Sequence, residues 1–127
     1  MNKYQIQHAR QRIDDIKRQA ADELNKKYSQ VSKIKLSVLL SSGAIPDIEH
    51  SLIPRYGISA YSSLSVSLPE SQDVANRCGI GDVYREYNDK YNKIINASRS
   101  AMDAIVFADA KDTAEILSKL AQKLSNV

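Results

Sequence analysis

The sequence predicts a mainly α fold. Two long amphipathic helices pack antiparallel, with a short C-terminal helix and a small central β element, either a strand or a hairpin. Three observations predict it. Apolar residues recur at steps of three and four over two long stretches; no proline or glycine occurs before Gly43; and Pro46, Pro54, Gly57 and Pro69 gather in a serine-rich centre between the stretches. The chain reads as one domain over residues 1–127, with a long first helix over about 2–41, an irregular or β centre over about 44–69 and a helical part over about 70–125.

The first stripe runs Ile6, Ala9, Ile13, Ile16, Ala20, Leu24, Tyr28 and Val31, which keeps one face of a helix apolar. Asn2 stands where a cap is needed, and Gly43 followed by Pro46 supplies the stop. Arg10, Asp14, Arg18, Asp22 and Lys26 alternate in sign at spacing four, so the outer face is expected to bridge its own charges.

In the centre, Ile58, Ala60, Leu64, Val66 and Leu68 alternate with serines, the pattern of a half-buried strand. A lone strand leaves its ladder unpaired. Its expected partner is the Ile45–Ile53 stretch, or the same strand of a second subunit.

Pro69-Glu70-Ser71 opens a short helix that ends near Cys78-Gly79, and Asp82 is the expected cap of the next one. Its stripe is Tyr84, Tyr87, Tyr91, Ile94, Ser98, Ala101 and Ile105, a heptad seam. The last helix is expected from Asp112, where Asp112-Thr113-Ala114-Glu115 resembles a capping box, with Ile116, Leu117, Leu120, Ala121 and Leu124 as its apolar face. This helix and the strand are expected to pack across the long pair.

The totals exclude several classes of function. Of 127 residues, 43% are apolar and 26% charged, and the single cysteine, Cys78, rules out an intrachain disulfide and any cysteine-built four-ligand zinc site. No apolar run, Val38-Leu39-Leu40 included, approaches the roughly 20 residues of a membrane span, and the first 30 residues hold no apolar leader segment. The expectation is a cytoplasmic protein that does not enter membranes. The net charge of +3 is concentrated at one end, since residues 1–35 carry nine Lys and Arg against four Asp and Glu.

Chemistry finds little support. Glu49-His50-Ser51 holds the residue types of a hydrolase triad, but such triads assemble from separated segments. No pair of His, Cys, Asp or Glu has a recognised ligand spacing, and His8 falls on the outer side of the first helix. Cys78-Gly79-Ile80-Gly81 lacks the lysine and preceding buried strand of a phosphate-binding loop, and reads as a turn between helices. No catalytic, cofactor-binding or metal site is expected, and no cofactor.

Contact surface is what remains. Tyr84, Tyr87, Tyr91 and Ile94 share a face and are the candidate protein interface, with Tyr56 or Tyr61 as neighbours, because tyrosine contributes large area at low entropic cost. The same face could equally be a core seam. Lys26, Lys27, Lys33 and Lys35 form the one concentrated basic group and are the candidate nucleic-acid contact, with Tyr28 as a stacking surface. The expected function is a non-enzymatic binding protein acting on another protein, as a homodimer; a nucleic-acid-binding accessory protein is the alternative. In size and in its helix–irregular centre–helix layout the chain is similar to small accessory, regulatory or inhibitor proteins, including phage-encoded ones. That similarity implies binding and assigns no residue.

Overall fold

A computed structural model of the chain describes residues 1–42, 58–59, 63–64, 68–69 and 71–127. The elements in order are α1 (Lys3–Ser42), β1 (Ile58–Ser59), β2 (Ser63–Leu64), α2 (Gln72–Arg77), α3 (Gly81–Ile105) and α4 (Ala110–Ser125). The fold is mainly helical. Gly43 and Pro46, the Ile45–Ile53 arm, Glu49-His50-Ser51, Tyr56 and Tyr61 lie outside the described residues.

Compactness divides the chain into two units, Met1–Glu23 with Lys90–Val127, and Leu24–Asp89. Both long helices contribute to each.

In the first unit, α1 opens on a reciprocal cap. Asn2 Oδ1 accepts from the Gln5 amide at 2.9 Å and Gln5 Oε1 accepts from the Asn2 amide at 3.0 Å, which satisfies two donors that have no helical partner. The core is aliphatic: Ala9, Ile13, Ile94, Ala97, Ala101, Ile105, Ala108, Leu117, Leu120 and Leu124 are buried. Ser98 sits among them because its hydroxyl donates to the Ile94 carbonyl one turn back, at 2.8 Å.

The last helix begins at Ala110 rather than Asp112. Asp109 is the cap, its carboxylate accepting from the Asp112 amide at 2.7 Å, and Thr113 is consequently turned into the core. The four residues from Val106 to Asp109 reverse the chain, so α4 returns along α3: Lys123, Leu124 and Val127 lie beside Lys93, Asn96, Ala97 and Ser100. It also lies alongside α1 instead of crossing it. Tyr4, His8 and Arg12 face Ala110, Ala114 and Leu117, and further along Ile16, Gln19 and Ala20 face Ala121 and Leu124, so the two segments run in the same direction.

In the second unit, Leu24, Tyr28, Ser32 and Leu36 form a buried line at spacing four on α1, and Val74, Ala75, Cys78, Ile80 and Val83 are buried with them. Ser71 caps α2, accepting from the Val74 amide at 3.2 Å. The helix ends in a Schellman turn. Gly79, at φ +80°, donates to the Asn76 carbonyl, and Ile80 donates to the Ala75 carbonyl. This closure leads directly into α3, which places Asp82 in the first helical turn and not at the cap.

The alternation from Ile58 to Leu68 predicts one strand, but β1 and β2 pair antiparallel with one another, Ile58 opposite Leu64 and Ser59 opposite Ser63. Residues that are mutual partners cannot be successive parts of a single strand.

Candidate functional site

Among the described residues, Tyr28, Tyr84 and Tyr87 meet in the second unit. The Tyr28 and Tyr87 rings stand 5.8 Å apart at 53°, and those of Tyr84 and Tyr87 are 5.9 Å apart at 55°, the tilted geometry that ring quadrupoles favour. Two of the hydroxyls, both part-buried, reach the facing helix: Tyr28 donates to Glu86 Oε1 at 2.8 Å, and Tyr87 donates to Asn25 Oδ1. Lys35 Nζ reaches both Asp82 oxygens at 2.7 Å. These pairs take rising positions of α1 with falling positions of α3, so the two segments run in opposite directions within this unit. The hydrogen bond from Lys35 holds the Asp82 carboxyl below the usual carboxylate range.

The predicted residues are therefore used in different ways. Tyr84 and Tyr87 keep part of their surface exposed in the second unit, and Tyr91 is half-buried in the first. Ile94 is 1% exposed and lies in the core of the first unit. Among the lysines, Lys26 is exposed and Lys33 half-buried, Lys27 lies 5.6 Å from the Tyr28 ring centre, and Lys35 is paired with Asp82. Cys78 is buried. Among the described residues no group of three or more His, Cys, Asp or Glu is placed to hold a metal ion, and no helix is long and apolar enough to cross a membrane.

Two surface features have no counterpart in the sequence reading. Where α1 and α4 run side by side, an open groove of about 410 Å³ is lined mainly by Tyr4, His8, Ala9, Arg12, Ala110 and Leu117. At the same end of the unit, the α3–α4 turn presents Phe107 at 93% exposure and Val106 at 45%, and Tyr4 is 82% exposed. The signal for Phe107 is in the sequence: it is the lone phenylalanine and falls two residues beyond Ile105, the end of the heptad seam. The groove has no such signal, because it depends on α4 lying along α1. A second run of exposed apolar side chains, Val31, Ile34 and Val38, follows one face of α1 in the second unit.

No protein-family model, no curated protein and no solved structure matches the chain.

Proposed function

We propose that this chain is a non-enzymatic binding protein of the accessory or regulatory kind, acting in the cytoplasm through contact with another protein and as a homodimer. The observation that supports the reading is the set of large apolar side chains left on the surface of well-patterned helices: Tyr4, Val106 and Phe107 in one unit, Val31, Ile34 and Val38 in the other. Single exposed apolar residues are ordinary, but grouped ones mark places where a surface is covered by something else. The part-exposed rings of Tyr84 and Tyr91 extend the available contact area. Nucleic acid is the weaker reading, because Lys35 is engaged by Asp82 and Lys27 lies over Tyr28, which thins the cationic group that phosphates would need.

Affinity capture of the full chain from its native cells tests this, run beside an Ile34→Ser/Val38→Ser variant and a Tyr84→Ala/Tyr91→Ala variant of unchanged helical circular dichroism. One protein enriched by the parent chain and lost with either variant is the expected result. Enrichment of nucleic acid alone, or of the same proteins by all three, overturns it.

A further inference from the structure

We propose that the α3–α4 turn of one molecule docks into the α1–α4 groove of a second copy, and the reverse, so that the end of the first unit is a two-fold dimer interface. The inference rests on the binding-protein reading above and names the surface and the occupant.

A two-fold contact uses one patch twice, so a projection and the recess that receives it must share that patch. They do here. Phe107 projects three residues before Ala110, which lines the groove, and the groove floor is apolar, with Ala9 and Leu117 buried at its base. A phenyl ring that is 93% exposed on its own molecule gains more from such a recess than any other side chain at this end.

Charge points to the same occupant. The groove lining includes Arg12 and His8 and no carboxylate. The turn that carries Val106 and Phe107 is flanked by Asp103 and Asp109, both exposed. Acidic residues bracketing an apolar projection match an apolar recess bordered by basic side chains. Arg12 of one copy would face Asp103 of the other, while Asp109 keeps its bond to the Asp112 amide. An acidic amphipathic helix from a different protein would satisfy the charge but would leave Phe107 uncovered, so a second copy fits the patch more completely.

Sedimentation velocity of the full chain, from micromolar to submillimolar concentration, is the test. A monomer–dimer equilibrium is expected. Phe107→Asp should weaken it by at least about tenfold, the size of effect typical of a central apolar anchor. Arg12→Asp and Asp103→Arg should each weaken it, and the two together should restore it. Tyr84→Ala/Tyr91→Ala should leave it unchanged. Phe107 and Arg12 are exposed, so the variants should keep the parent's helical circular dichroism. A monomer throughout, or a dimer indifferent to Phe107→Asp and to the charge exchange, overturns the proposal. A dimer lost with the tyrosine variant instead overturns this surface while the binding reading stands, and the capture experiment judges that reading independently.

Discussion

The Tyr28 hydroxyl donates a 2.8 Å hydrogen bond to Glu86 Oε1, joining positions 58 residues apart in the chain. The ring is buried in the second unit while the carboxylate stays exposed. Tyrosine suits this place because its body is apolar and its tip needs a partner. Phenylalanine would fill the space and remove the hydrogen bond to Glu86. Tyr28→Phe should therefore cost about 1 kcal/mol, the net value of such a bond, read as a shift in urea midpoint at unchanged slope. No shift would mean that water satisfies both groups equally well.

The Lys35–Asp82 pair is exposed on both sides, so its contribution is modest. Asp82→Asn should destabilise by no more than about 1 kcal/mol, less in high salt. The pH dependence has a definite sign. The hydrogen bond from Lys35 lowers the folded-state pKa of Asp82 below that of an ordinary aspartate, so the stabilisation is present above the ordinary value and is lost as acid protonates the folded carboxylate. Acid titration of thermal stability should show the parent losing this increment and Asp82→Asn lacking it. An identical acid profile for the two proteins would remove the pair from the stability account.

Ser32 is buried at 1% exposure, and its hydroxyl has no hydrogen-bond partner among the described residues. Burying an unbonded hydroxyl is unfavourable, and serine also forms helix less readily than alanine. Ser32→Ala should raise stability by about 1 kcal/mol. A loss in denaturant unfolding would show that the hydroxyl has a partner in solution.

Gly79 occupies the left-handed region at φ +80°, and a Cβ there would stand 3.3 Å from Leu39 Cδ1. Both the backbone and the space disfavour a side chain. Gly79→Ala should cost about 1 to 2 kcal/mol, and Gly79→Asn less, since asparagine tolerates this conformation better. Equal stability of the three proteins would refute the strain argument.

How much of this was legible in the sequence depends on the range of the cause. The first helix followed from an unbroken stripe and from Asn2, and α2 from Ser71 at one end and glycine at the other, all of them short-range signals. The last helix was misplaced because Asp109 and Asp112 are both plausible caps, and only the reversal after Ile105 decides between them. Asn25 and Glu86 gave no sign of being tyrosine partners, since each looks like an ordinary solvated residue until the facing helix is in place. The same holds for the groove, which exists only because α4 turns back along α3 and so comes to lie beside α1. Ile94 belongs to the heptad seam as read, but periodicity locates a face without saying what covers it.

A helix of six residues, such as α2, would not persist in isolation, because nucleation is not recovered over so few bonds. Here it is clamped at both ends: by Ser71 at its start and, beyond Gly79, by the Gln72 amide donating to the Gly81 carbonyl at 2.9 Å. It therefore has no melting of its own. Amide exchange over Val74–Cys78 and over the start of α3 should therefore report one common free energy of opening.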